Sequence, residues 1–210
     1  MITLYSGTPG SGKSLHASEN LLHCINLHKK RVVTNYEIDT SRLKYPDLFT
    51  SFDNSELVNP QPLYDISNDF FTDRKRKEGQ IILFLDECQL LFNAREFNAS
   101  NRMQWLSFFS QHRKLGYDVI LMAQFDRMID RQIRSLIEYQ VIHRKVSNFG
   151  LFGKLISLIF FGNLFCAVKQ WYPLKQVVGS EFFIAQKKYY SLYDTFATFD
   201  LQKNTSTGTK

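Results

Sequence analysis

Residues 7–14 read GTPGSGKS (Gly-Thr-Pro-Gly-Ser-Gly-Lys-Ser), and the rest of the chain is placed by its relation to them. The spacing is G-x-x-x-x-G-K-[ST]. It lies between a short apolar run at residues 2–5 (ITLY) and a stretch at 13–28 that carries Leu15, Leu21, Leu22 and Ile25 at helical spacing. The local prediction is strand, loop, helix. Gly7, Gly10 and Gly12 let the backbone curl so that successive N–H groups face one anionic centre, to which the helix adds its positive end. Lys13 supplies a point charge for β- and γ-phosphates, and the Ser14 hydroxyl is a Mg²⁺ ligand. ATP and Mg²⁺ are therefore the expected cofactors, with Gly7, Thr8, Pro9, Gly10, Ser11, Gly12, Lys13, Ser14 and Leu15 as the binding segment.

Residues 81–85 (IILFL) form an unbroken apolar run, the pattern of a strand buried on both faces of a parallel sheet. Two carboxylates follow at once. Asp86 suits the second Mg²⁺ contact, through a water, and Glu87 is placed to polarise the water that attacks a γ-phosphate. A second buried run, 118–123 (DVILMA), ends on Gln124 in the same way, so both strands should deliver their polar residues to one sheet edge. Gln124 then suits contact with the γ-phosphate or the attacking water.

Residues 31–35 (RVVTN) and 139–144 (YQVIHR) read as further strands, and 100–114 and 127–137 as helices. The alternation is that of an α/β P-loop NTPase with a mainly parallel sheet flanked by helices. Residues 40–79, with Pro46, Pro60, Pro62 and a charge run, are expected to be irregular. Beyond Gly150 the pattern turns to short aromatic-rich runs broken by glycine and proline. The expected organisation is an ATPase core at 1–148, a small hairpin-like appendage packed on it at 149–203, and a flexible polar tail at 204–210.

The composition, 44% hydrophobic and 22% charged, belongs to a folded protein. The net charge of +6 is uneven, at −2 over residues 1–70 and +4 over each of 71–150 and 151–210. That bias is compatible with DNA or an anionic membrane face, and equally with a solvated basic surface. Three distant cysteines without metal spacing point to a reducing cytoplasm, and MITLYS begins as a strand with no secretory pattern. Arg95, Arg102 and Arg113 lie between the acid pair and the Gln124 strand, where one could serve a neighbouring subunit's nucleotide. Arg127, Arg131 and Arg134 would form a stripe on one helix. The run 151–168 (LFGKLISLIFFGNLFCAV) is the candidate membrane span. It falls short of the ~20 residues needed and holds Lys154, Gly162 and Asn163. A hairpin packed on the core is expected instead, with Arg144, Lys145 and Lys169 favouring an anionic bilayer surface.

The blocks LFLDECQLLFNAREFN (83–98), SQHRKLGYDVILMAQ (110–124) and IDRQIRSLIEY (129–139) together resemble the zonula occludens toxin (Zot) and filamentous-phage assembly ATPase family. YYSLYDT (189–195) adds a weaker match. The resemblance implies a RecA-like core that hydrolyses ATP at the cytoplasmic face of the host inner membrane and drives virion assembly and extrusion. The implied partners are coat or assembly proteins, single-stranded DNA and further copies of the chain, on the pattern of hexameric DNA motors. Carried over by residue, it puts the phosphate loop at Gly7–Ser14, the acid pair at Asp86 and Glu87 and the sensor at Gln124, with Arg113 and Arg95 inside arginine-bearing blocks. The resemblance also implies that family members usually carry a membrane-spanning helix and a further domain after this one. Two alternatives stay open at this point: a small-molecule P-loop kinase, and a non-catalytic nucleotide-binding docking or toxin-like protein.

Overall fold

The computed structural model describes residues 1–93, 99–190 and 192. Five strands alternate with helices as the apolar runs predict: β1 (Ile2–Ser6), β2 (Arg31–Thr34), β4 (Ile81–Leu85), β5 (Tyr117–Ala123) and β6 (Tyr139–Lys145). Together with β3 (Phe49–Ser51), β7 (Leu164–Trp171) and β8 (Gln176–Ile184) they make one eight-stranded sheet, ordered β3-β2-β4-β5-β1-β6-β7-β8. All pairings from β3 to β6 are parallel, while β7 and β8 join antiparallel.

Alternation along the central strands sorts their side chains into two cores. Ile81, Leu83 and Leu85 of β4, with Val119 and Leu121 of β5, face one side, where Trp105, Phe108 and Phe109 pack from α3 (Ala99–Gln111) and Leu63 from α2 (Gln61–Phe70). Ile82, Phe84, Ile120 and Met122 face the other side, against Ala17, Leu21 and Ile25 of α1 (Lys13–Asn26). Each strand is buried on both faces, which is why its sequence shows no polar alternation.

Three expectations need correction. Residues 40–79 hold α2 and the short β3, and Pro62 hid the helix because a proline in the first turn removes only an N–H that has no intrahelical partner anyway. In α2 only Leu63 and Ser67 are buried, and Ser67 Oγ donates to the Leu115 carbonyl at 2.8 Å, so its inner face carries a weak apolar signal. The helix expected at 127–137 is broken. A 3₁₀ turn covers Asp126–Met128, Ile129 is extended, and α4 spans only Arg131–Arg134, opened by Asp130, whose carboxylate accepts from the Gln132 and Ile133 amides. Arg127 therefore lies outside the helix that carries Arg131 and Arg134, and the three do not form one stripe.

The third correction concerns the run 151–168, which divides into helix α5 (Gly150–Ile159), a turn, and strand β7. The hairpin expected beyond Gly150 is β7–β8, and it extends the sheet through β6 while also packing on α1. The polar tail at 204–210 lies outside the described residues. No helix among the described residues is long and apolar enough to cross a membrane.

Candidate nucleotide-binding site

Parallel pairing fixes where each functional residue emerges. Ser6 of β1 stands opposite Ala123 of β5, and Leu85 of β4 opposite Leu121, so the phosphate loop, Asp86 and Gln124 all leave the sheet at one edge. β5 lies between the other two. The Gly7 amide donates to the Gln124 carbonyl at 3.3 Å, tying the loop's first residue to the Gln124 turn.

The loop's shape depends on its glycines at two positions. Gly12 opens α1 at φ +94°, and a Cβ there would stand 2.7 Å from the Phe165 ring. At Gly7, φ +148°, a Cβ would meet the His143 carbonyl at 2.6 Å. Any side chain is thus excluded by conformation and by space at both. Lys13 is buried and folds back on the loop, its Nζ donating to the Gly7 carbonyl at 2.6 Å and to Thr8 O at 3.4 Å. Burial lowers the Lys13 pKa, and the carboxylates of Glu87 and Asp86 oppose that shift. The ammonium therefore lies within the field of both acids. Ser11 Oγ is buried without a hydrogen-bond partner, a donor available to an anion in the loop.

Asp86 is buried at the end of β4, and its Oδ1 accepts from the Glu87 amide at 2.8 Å. Asn35, the residue after β2, holds the Asp86 backbone from both sides. Its Nδ2 donates to Asp86 O at 2.9 Å, and its Oδ1 accepts from Asp86 N at 2.7 Å. Glu87 sits in the left-handed region, φ 44° and ψ 43°, a conformation costing a non-glycine residue about 1–3 kcal/mol. Its carboxylate accepts from the side-chain amide of buried Gln89. Asn35 and Gln89 escaped the sequence reading. Asn35 ends a strand as Asp86 and Gln124 do, the one signal that could have found it; Gln89 gave none.

Of the candidate arginines, Arg113 lies at the opposite edge of the sheet, beyond α3 and ahead of β5, where Nη2 donates to Glu138 Oε2 at 2.5 Å. It is not brought to the phosphate loop of its own chain. Arg102 pairs with Asp130 at 3.3 Å, and Arg95 lies outside the described residues.

Beneath the loop, β6 and α1 join through two histidines. His143 Nδ1 faces the Ser6 carbonyl at 3.3 Å and donates to it, which leaves Nε2 to accept from His16 Nδ1 at 2.8 Å. Burial pushes the His143 pKa down to about 3, with the neighbouring His16 and Lys13 charges adding to the effect. The folded state thus keeps His143 neutral, whereas the unfolded chain protonates it near its ordinary value of 6.5. Its contribution to stability is complete above about pH 6.5 and is lost as pH falls toward 3. Urea unfolding should show stability falling on acidification within that window, by up to about 1.4 kcal/mol per pH unit from this group. The variant His143→Gln is expected to be less stable at neutral pH but to fall less steeply; an unchanged slope would contradict the assignment. Cys24, Cys88 and Cys166 are free and buried, and burial raises all three thiol pKa values, so they are packing groups.

The sequence profile of the family described as zonular occludens toxin (Zot) matches residues 1–199. The chain belongs to the Zot family. Among curated relatives, the Gene 1 protein of Enterobacteria phage M13 is 30% identical over 163 residues, which is 73% of this chain and 45% of that protein. The Gene 1 protein of Enterobacteria phage fd is 29% identical over 170 residues, 78% of this chain and 45% of that protein. The chain thus spans less than half the length of these relatives.

Solved structures agree on the fold. The N-terminal domain of zonular occludens toxin from Neisseria meningitidis superposes with a TM-score of 0.58 at 18% identity, covering 92% of this chain and 98% of that one. B204, the DNA-packaging ATPase from Sulfolobus turreted icosahedral virus, gives 0.54 at 14% identity, covering 86% and 95%. The pCW3 conjugation coupling protein TcpA gives 0.55 at 15% identity, covering 89% and 61%. The Zot-family chain has the α/β fold of these structures, a mainly parallel sheet flanked by helices, as the alternation of its apolar runs predicted.

Proposed function

We propose that this chain is the ATP-hydrolysing part of a Mg²⁺-dependent motor that assembles and extrudes filamentous-phage virions at the host inner membrane. The observation that carries the reading is the gathering of Lys13, Ser14, Asp86, Glu87 and Gln124 at one sheet edge of a Zot-family chain. The Gene 1 proteins of M13 and fd supply the phage context.

Each residue has a chemical task. Lys13 and the loop amides bind and orient the β- and γ-phosphates. The Ser14 hydroxyl and Asp86 carboxylate are hard oxygen donors that fit Mg²⁺, an ion that binds few carboxylates and completes its shell with phosphate and water. When bound, Mg²⁺ neutralises charge on the β- and γ-oxygens. Glu87 takes the proton of a water as its oxygen bonds to the γ-phosphorus, and the bond from that phosphorus to the β,γ-bridging oxygen breaks with its electrons passing to the diphosphate. Gln124 orients the water. Asn35 and Gln89 hold Asp86 and Glu87 in position. Phosphate release from ATP·Mg²⁺ without any added acceptor tests the proposal against the kinase alternative, which requires one.

The membrane face of the proposal rests on α5. This helix turns its small residues Gly153 and Ser157 inward, while Leu151, Phe152, Leu155, Ile156, Leu158 and Ile159 are exposed, followed by exposed Phe160 and Phe161. Between Glu138 and Glu181 there is no acidic residue, and Arg144, Lys145, Lys154, Lys169 and Lys175 lie in that interval. An apolar helix about 15 Å long with cationic surroundings suits shallow insertion into an anionic bilayer surface. The protein should float with anionic vesicles and less with neutral ones, and the double change Phe152→Glu and Phe161→Glu should abolish it. Absence from both vesicle fractions would remove the membrane from the proposal.

A further inference from the structure

The phosphate loop has an aromatic neighbour that the hydrolytic set does not use. A cavity of about 150 Å³ opens beside the loop, lined by residues 10–15, by Ser18 one turn further along α1, and by Phe165, Tyr189 and Tyr190. Phe165 comes from β7, and the tyrosines from the short helix α6 (Lys187–Tyr190). Two of the three rings are fixed. Phe165 and Tyr189 are buried against each other and Leu15, and the Phe165 ring lies so close to Gly12 that no side chain fits between them. Tyr190 is half exposed, at 52%, and stands at the mouth.

The lining combines two kinds of chemistry. Lys13 and the unpartnered, buried Ser11 hydroxyl are suited to phosphate. Phe165, Tyr189 and Tyr190 are aromatic, and Lys13 is the only charged residue among those lining the cavity. Pockets that enclose a drug-sized molecule measure ~300–1,000 Å³, so this one takes a single planar ring system while the rest of its ligand lies over the open loop. A nucleotide is such a ligand. We infer that Phe165, Tyr189 and Tyr190 form the base site of the nucleotide proposed above, with Tyr190 as the stacking face. The inference rests on the nucleotide-binding reading of the loop.

Recognition here works through the π-face. Stacking tolerates any flat base, and Ser18 is the one lining side chain with a hydroxyl that is not itself part of a ring or of the loop. ATP and GTP should accordingly bind within about tenfold of each other. The C-terminal hairpin thereby gains a role in the site: it supplies Phe165 to the lining of a pocket that it shares with the phosphate loop and α1.

The test uses the full chain, with ATP and inorganic tripolyphosphate as separate probes in calorimetry. The parent should bind ATP more tightly than tripolyphosphate. Tyr190→Ala, at an exposed position, should weaken ATP binding roughly 5- to 150-fold and leave tripolyphosphate binding unchanged, and Tyr190→Phe should retain parental ATP affinity. Equal affinity of the parent for both probes would overturn the base site while leaving the phosphate loop intact, as would an unchanged ATP affinity in Tyr190→Ala. Equal loss of both probes in Tyr190→Ala would also overturn it, since the tyrosine would then support the loop instead of a base. Failure of the parent to bind either probe would overturn the phosphate-loop reading on which the inference depends.

Discussion

Glu87→Gln is expected to slow phosphate release by about 10²–10⁴-fold while ATP binds as tightly as to the parent. The substitution keeps the shape of the side chain and an oxygen that can accept from Gln89, so the geometry at the end of β4 survives. What it removes is the basicity that takes a proton from water. Lys13→Ala should fail one step earlier. The ammonium contributes charge-assisted hydrogen bonds to phosphate, whose loss weakens binding by roughly 10- to 150-fold. It also bonds the Gly7 and Thr8 carbonyls, so the loop loses a brace along with a charge. Calorimetry with ATP and a phosphate-release assay separate the two variants. Turnover at the parental rate by Glu87→Gln would overturn the catalytic assignment, and undiminished ATP affinity in Lys13→Ala would overturn the phosphate role of the lysine.

The division between what the sequence revealed and what it concealed follows the range of the interactions. GTPGSGKS works through its own backbone, and its fold is written in its glycines. The runs IILFL and DVILMA are apolar without interruption because both sheet faces are covered, and that same burial places the residues that follow them at an edge. Local chemistry and tertiary position agree there, and β4 is observed with the bounds its apolar run predicts.

Long-range support left fainter marks. Asn35 reaches Asp86 across 51 residues of chain, and His143 reaches His16 across 127. Such pairings depend on strand order, and adjacent sequence does not encode it. Broken helices were concealed for another reason. Asp130 reads as one polar residue within a helical spacing, yet its carboxylate caps α4 and ends any helix before it. In α5 the ordinary pattern is inverted, with small residues inward and large apolar ones outward, so hydropathy reports the extent of the run but misjudges which face is covered.

Loss of an arginine supplied by a neighbouring subunit should cut turnover by about 10³–10⁵-fold with little loss of ATP binding. Lys13 is engaged by the loop and the acids, Arg102 pairs with Asp130, and Arg113 lies at the far sheet edge, so a cation from another subunit is the proposed partner of the charge that develops on the γ-phosphate in the transition state. We propose that Arg113 supplies it, with Arg95 as the second candidate. Arg113 lies at the sheet edge away from its own loop, so it can serve only another copy's nucleotide. In the isolated chain it pairs with Glu138, and at 51% side-chain exposure that surface pair contributes no more than about 0–1 kcal/mol. Arg113→Ala should therefore leave thermal stability nearly unchanged, and a collapse of activity without a collapse of folding would separate the trans role from a structural one. Activity should rise with protein concentration as the oligomer forms. Mixing Arg113→Ala chains with Glu87→Gln chains should restore part of it, because some hybrid interfaces pair an intact Glu87 with an intact Arg113. Turnover independent of concentration, and insensitive to Arg113→Ala and Arg95→Ala alike, would leave an ATPase that works as a single subunit with Arg113 as a surface partner of Glu138.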